Sequence, residues 1–176
     1  MKSALLVITL AALTSAAALV LAPAGSSSHA ANDASQAFQL LPPAAPAGQM
    51  TLFGHIKTLS RKGGRFLMGF DPAWFTSGLT ASRAKFQDTG SSDVPNDNYV
   101  VEEGHRLLTY IVAPTARVTV LTNNGSGIAS TPITVAELAR IVNGGKHRKL
   151  FEPLASGIWI RVRIDTVREL DQQYQP

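Results

Sequence analysis

The sequence predicts a mainly β fold: a small five- to six-stranded barrel, broadly OB-like or SH3-like, with two short helices. Three observations lead there. Runs rich in β-branched and aromatic residues recur from Met50 onward, the composition that suits a pleated, half-buried surface. Clusters of turn formers such as Gly63-Gly64 and Asn123-Asn124-Gly125 separate them. Gly54 and Gly69 fall inside strand-like text, where glycine marks a bulge or the sharp bend of a barrel corner, and this tilts the reading from an open sheet to a closed barrel.

The elements follow in order. Met50 to Ile56 is extended, Arg61-Lys62-Gly63-Gly64 turns, and Arg65 to Phe70 returns, which makes a β-hairpin. Asp71-Pro72 has the form of a helix start, with Asp71 as N-cap and Pro72 at the first helical position, so a short helix is expected from Ala73 toward Leu79. Residues 87–98 are turn formers and small polar side chains and predict an exposed loop. A second hairpin is expected from Arg106–Val112 and Arg117–Thr122 about a turn at Ala113–Ala116. Thr134-Val135-Ala136-Glu137 is a capping box, with Ile133 and Leu138 placed as a hydrophobic staple. Leu138, Ile141 and Val142 give the helix one apolar face before Asn143-Gly144-Gly145 ends it. The last strand is expected from Ile158 to about Val167. Ile158, Ile160, Val162 and Ile164 would point to the core, and Trp159, Arg161, Arg163 and Asp165 away from it.

The N-terminus predicts export. Lys2 precedes an uncharged stretch from Ser3 to Ala24 with an aliphatic centre, and Ser28 and Ala30 stand at −3 and −1 of a cleavage site before Ala31. An uncleaved anchor is the competing reading, since the stretch is just long enough to span a bilayer. The division that results is a signal peptide over 1–30, a flexible Ala/Pro linker over 31–49 and a single β-barrel domain over 50–176, secreted or held in the cell envelope. With no cysteine in the chain, disulfides, thiol catalysis, zinc–thiolate sites and a cysteine-linked lipid anchor are all excluded. The core alone must then hold the domain together.

The stretches Phe70-Asp71-Pro72-Ala73-Trp74-Phe75, Pro95-Asn96-Asp97-Asn98-Tyr99 and Arg106-Leu107-Leu108-Thr109-Tyr110, with the closing Leu170-Asp171-Gln172-Gln173-Tyr174, resemble a group of small exported bacterial proteins of unknown function. The likeness covers most of Gly54 to Pro176. It implies one self-contained extracytoplasmic domain and brings no activity with it.

Two groups of residues are candidate ligand sites. Residues 140–168 carry seven basic side chains against Glu152 and Asp165. By period-two arithmetic Trp159, Arg161 and Arg163 share a strand face, and with Lys149 from the preceding basic loop they could form a cationic platform with an aromatic surface. The competing reading is a solvated outer face partly neutralised by Asp165. The second group is Asn96, Asp97 and Tyr99, beside Asp93 and Asn98. These offer hard oxygen donors, but the spacing is not that of an EF-hand, and an Asx-rich turn explains it more simply. Trp74 and Phe75 invite a sugar-stacking reading, against which they serve as a lid on the barrel. No catalytic motif surrounds His55, His105 or His147, and no metal or cofactor is expected. The sequence therefore favours an extracytoplasmic binding or interaction module for an anionic cell-envelope polymer or protein. Nucleic acid is a poor candidate, and membrane contact would come only through the signal or an uncleaved anchor. The alternative is a small envelope-acting hydrolase using Asp71, Asp97 or His105.

Overall fold

The computed structural model describes residues 42, 44–102, 104 and 106–175. The expected signal peptide and most of the expected linker lie outside the described residues, as do Glu103 and His105. Among the described residues there are seven strands and two α-helices: β1 (Met50–Lys62), β2 (Arg65–Ser77), α1 (Gly78–Thr89), β3 (Asn98–Glu102), β4 (Leu108–Asn123), β5 (Ile128–Ile133), α2 (Val135–Val142), β6 (Ile158–Arg163) and β7 (Thr166–Gln172). A single 3₁₀ turn at Leu154–Ser156 leads into β6.

The hairpin expected at Gly63-Gly64 joins β1 to β2, with Lys62 opposite Arg65 and Phe53 opposite Ala73. Both interior glycines mark irregularities, as expected. Lys57 is the extra residue of a bulge between the Ile56–Phe70 and Thr58–Gly69 pairs, and at Gly54 the two strands run close together. A Cβ on Gly54 would lie 2.1 Å from the Asp71 carbonyl oxygen, so only glycine fits.

Asp71-Pro72 does not start a helix. β2 continues unbroken to Ser77, and α1 begins only at Gly78. The strand exchanges neighbours at this point: Phe66–Phe70 pair with β4, and Ala73–Ser77 pair with β3. Pro72, which has no N–H to give, falls at the changeover, one of the few strand positions where proline is tolerated. Asp71 sits across from His55 and holds Lys57 at 3.0 Å instead of capping a helix. Residues 87–89, expected in a loop, are the last turn of α1.

The second expected hairpin is also absent. Leu108–Asn123 is one 16-residue strand, and Ala113–Ala116 form a corner within it. From Val112 to Arg117, β4 advances five residues while its parallel partner β7 advances from Val167 to Glu169. Ala113 and Ala116 are buried there, where larger side chains would not fit inside the bend. The hairpin partner of β4's second half is β5, from Val118–Ile133 to Asn123–Ile128.

The capping box forms in part. Thr134 Oγ1 accepts the Glu137 N–H at 3.1 Å, while the Glu137 carboxylate turns outward to Arg148 Nε at 2.9 Å. Val135, Leu138 and Ile141 are the buried face of α2, and Asn143 Nδ2 ties its C-terminus to the Leu59 carbonyl at 2.8 Å. The expected last strand is in fact two. β6 and β7 form a hairpin about Ile164 and Asp165, both at positive φ. Ile158, Ile160 and Val162 face the core as expected, whereas Ile164 is 86% exposed at the hairpin tip.

Five strands close into a ring: β1 pairs with β2, β2 with β4, β4 with β7, β7 with β6, and β6 with β1. Only β4–β7 is parallel. With α2 lying between the third and fourth barrel strands, this is the Greek-key order of an OB-type barrel, and the parallel pair sets it apart from an SH3-like meander. β3 and β5 extend the sheet outside the ring. Leu59, Met68, Phe70, Val112, Val118, Ile160 and Leu170 fill the interior, and Val135 and Leu138 of α2 join the same cluster. Among the described residues no helix is long and apolar enough to cross a membrane.

Candidate anion-binding face

The cationic side chains divide by what holds them. Arg161 donates to Glu169 at 2.6 Å, and Arg117 spans Glu169 at 3.1 Å and Asp171 at 3.0 Å. Burial opposes the charge on Arg117, but the hydrogen bond it donates to Glu169 and the field of both carboxylates outweigh it and raise its pKa. Arg148 is engaged by Glu137 and Lys57 by Asp71. In contrast, Arg61, Lys62, Arg65, Arg163 and Arg168 make no ion pair with any described residue.

Strand register brings most of this second set to one face. Arg163 lies opposite Thr166, Thr166 opposite Ile111, Ile111 opposite Leu67, and Leu67 opposite Ser60. These residues form a continuous row across β6, β7, β4, β2 and β1. At about 4.8 Å per strand the row spans roughly 19 Å of surface. Phe66, Met68, Tyr110 and Val112 are buried, so the alternation of side chains turns Leu67 and Ile111 outward.

The β1–β2 hairpin, with Lys62 and Arg65 exposed as a cross-strand pair, borders one end of the row. The β6–β7 hairpin borders the other, and the Ile111 N–H donates to the Asp165 carbonyl at 3.0 Å, fixing that hairpin to β4. Arg168 is the extra residue of a bulge in β7 and is exposed. Gly69 has no side chain, and the Thr58 hydroxyl stands closest over it, with Leu107 beyond. The face is thus a shallow aliphatic floor with Lys62 and Arg65 at one end and Arg163 and Arg168 at the other, none ion-paired with a described residue.

Of the residues singled out in the sequence, only Arg163 belongs to this face. Arg161 is committed to Glu169. Trp159 donates Nε1–H to Gln173 Oε1 at 2.7 Å, and its ring packs on Phe53 and Phe75 at 5.0 and 5.7 Å between centroids. That aromatic group lies on the outer side of β1, β2 and β6, where Phe53 is 3% exposed. Phe75 is therefore a packing residue, while Trp74 is 60% exposed and does not act as a lid. Lys149 lines a separate cleft beside α2.

Asn96, Asp97 and Tyr99 serve the junction of α1 and β3. The Asp97 carbonyl accepts the Gly78 N–H at 3.1 Å, Asn98 Nδ2 donates to the Asn96 carbonyl at 2.8 Å, and Tyr99 O–H donates to Asp88 at 3.2 Å. Partial burial and the hydrogen bond to Asp88 raise the Tyr99 pKa. The Ser77–Asn98 pairing places Asp97 beyond the far end of β2 from Asp71. Roughly 20 Å of strand lies between the two carboxylates, too far for a shared acid–base step. Among the described residues no three His, Asp or Glu side chains form a metal-binding group.

Among the described residues Glu152 is the one carboxyl group whose pKa is raised. Burial is the cause, only partly offset by hydrogen bonds from the Gln175 backbone and the Ser156 side chain. A folded pKa above the unfolded one gives stability that is complete below the ordinary carboxyl value near 4.5 and is lost as pH rises through the folded value. Glu152→Gln should therefore remove a stability loss in the weakly acid range, visible as a flatter plot of melting temperature against pH. Family models, curated proteins and solved structures were all compared with this chain, and none matches.

Proposed function

We propose that this protein is an extracytoplasmic binding module for an anionic cell-envelope polymer, held on the outer face of β2 and β4 between the two basic hairpins. Export rests on Lys2, the uncharged stretch after it and the small-residue site before Ala31. The observation that carries the binding reading is the row from Arg163 to Leu67, with Lys62 and Arg65 beyond it and no described carboxylate pairing with any of the three cations. Unneutralised charge at both ends of a strip suits a chain of repeated negative groups better than a single compact anion. In barrels of this strand order the second and third strands, flanked by these two hairpins, are a recurrent place for polymeric ligands, which is a fold-level analogy.

The test is binding of isolated wall polymer, and of polyphosphate as a defined substitute, at low and high salt. Arg65→Glu combined with Arg163→Glu should weaken binding by about tenfold or more, roughly 1.4 kcal/mol, and should flatten its salt dependence. Both positions are exposed, so the fold should survive. Unchanged affinity in the double variant, or binding indifferent to salt, overturns the proposal.

A further inference from the structure

A cleft of about 510 Å³ opens between the middle of β1, the last turn of α2 and the segment 147–155. Its floor is aliphatic. Ile56, Val142 and Leu154 pack against the barrel core, and Ile141 is buried beside them. A lysine stands at its rim: Lys149 lines it together with His147, and Lys146 precedes them. Neither lysine pairs with a described carboxylate, although Arg148 between them is taken by Glu137. The one acidic side chain in the lining, Glu152, accepts a hydrogen bond from the Gln175 N–H at 3.3 Å. Its carboxylate is thus engaged within the fold and does not neutralise Lys149. A mostly apolar concavity of this size with a few placed polar groups has the form of a small-molecule site.

We infer that this cleft binds a single-chain anionic amphiphile, its aliphatic body on Ile56, Ile141, Val142 and Leu154 and its acidic headgroup at Lys149. Charge complementarity and floor chemistry select this occupant together. A bare inorganic anion would leave the aliphatic floor in water, and a neutral apolar molecule would leave the rim lysine unused. The long polyanion proposed for the hairpin face would gain nothing from an apolar floor. The site is separate from that face and does not depend on it, since none of Lys62, Arg65 or Arg163 lines the cleft.

The probe is dodecyl phosphate, titrated calorimetrically into the protein below the micellar concentration, with dodecyl maltoside and inorganic phosphate as the tail-alone and head-alone comparisons. One mole should bind per mole of protein, and dodecyl phosphate should bind at least tenfold more tightly than either comparison. Lys149→Glu, at an exposed loop position, should weaken it by about tenfold. Val142→Trp should block it by filling the floor, with folding checked by circular dichroism. The Arg65→Glu, Arg163→Glu double variant should bind dodecyl phosphate as the parent does. Equal affinity for dodecyl maltoside, unchanged affinity in Lys149→Glu, or loss of binding in the hairpin variant each overturns the inference. The last result would also show that the amphiphile had reported the hairpin face.

Discussion

Gly54→Ala is expected to lower the unfolding free energy by about 3–4 kcal/mol, near the upper end of what overpacking costs. The new methyl group would stand 2.1 Å from the Asp71 carbonyl oxygen, and 2.9 Å from both the Phe70 ring and the Pro72 Cα. Two of those three neighbours are backbone and belong to the paired strand β2, so the strands must separate to admit it. The pairing cannot yield locally, because Gly54 is also the last β1 residue matched to β6, opposite Ile158. Urea unfolding should show a lower midpoint, and thermal unfolding a drop of roughly 10–15 °C. A loss under 1 kcal/mol would mean that the β1–β2 contact is looser than described.

Phe70→Ala is expected to cost about 3–5 kcal/mol, the transfer free energy of the ring plus the cavity it leaves. Phe70 is fully buried, and its ring meets Tyr110 edge-on at 6.2 Å between centroids. The two substitutions also probe each other. Removing the Phe70 ring relieves one of the three contacts at residue 54 and leaves both backbone contacts in place. The double variant should therefore recover at most about 1 kcal/mol of the summed losses, a coupling measurable in a double-mutant cycle. Full recovery would show that the aromatic contact alone, and not the approach of the two strands, requires glycine there.

The residues that made the fold legible are those whose physics is local. Gly63-Gly64 turns a hairpin wherever its flanking strands pair, Thr134 caps α2 through its own third neighbour, and Ile158, Ile160 and Val162 alternate into the core. The misreadings arose where a local signal has two tertiary meanings. Asp-Pro has the same form before a helix as at the point where a strand changes partners, and only the presence of β3 and β4 on one edge of β2 decides between them. Ala-Pro-Thr-Ala likewise reads as a turn and serves as a corner inside β4, because a strand shared between two sheet neighbours must bend. Ile164 fits the alternation of β6, but its φ of +45° places it in the hairpin.

The site read from the sequence and the face proposed from the structure share Arg163 alone. Charge asymmetry pointed to a cationic surface and to Arg163. Period-two counting also put Arg161 on the same strand face, but it cannot show that Glu169 lies directly opposite in the next strand. Lys62 was read only as a turn residue and Arg65 only as the start of a strand, because their place on the same face as Arg163 depends on pairings between β2 and β4 and between β4 and β7 that no local pattern contains.

Two long-range pairings, β1 with β6 and β4 with β7, bear on how the chain assembles. The β1–β2 and β6–β7 hairpins each join neighbours in sequence and can form early. The ring closes only when Met50 meets Val162 and Val118 meets Leu170. Both contacts require the C-terminal hairpin, and both close long loops before gaining any stabilisation. Ring closure is thus expected to come late, in which case Leu170→Ala in β7 should speed unfolding more than it slows refolding, and until β7 docks the aliphatic interior of four strands would stand open to solvent.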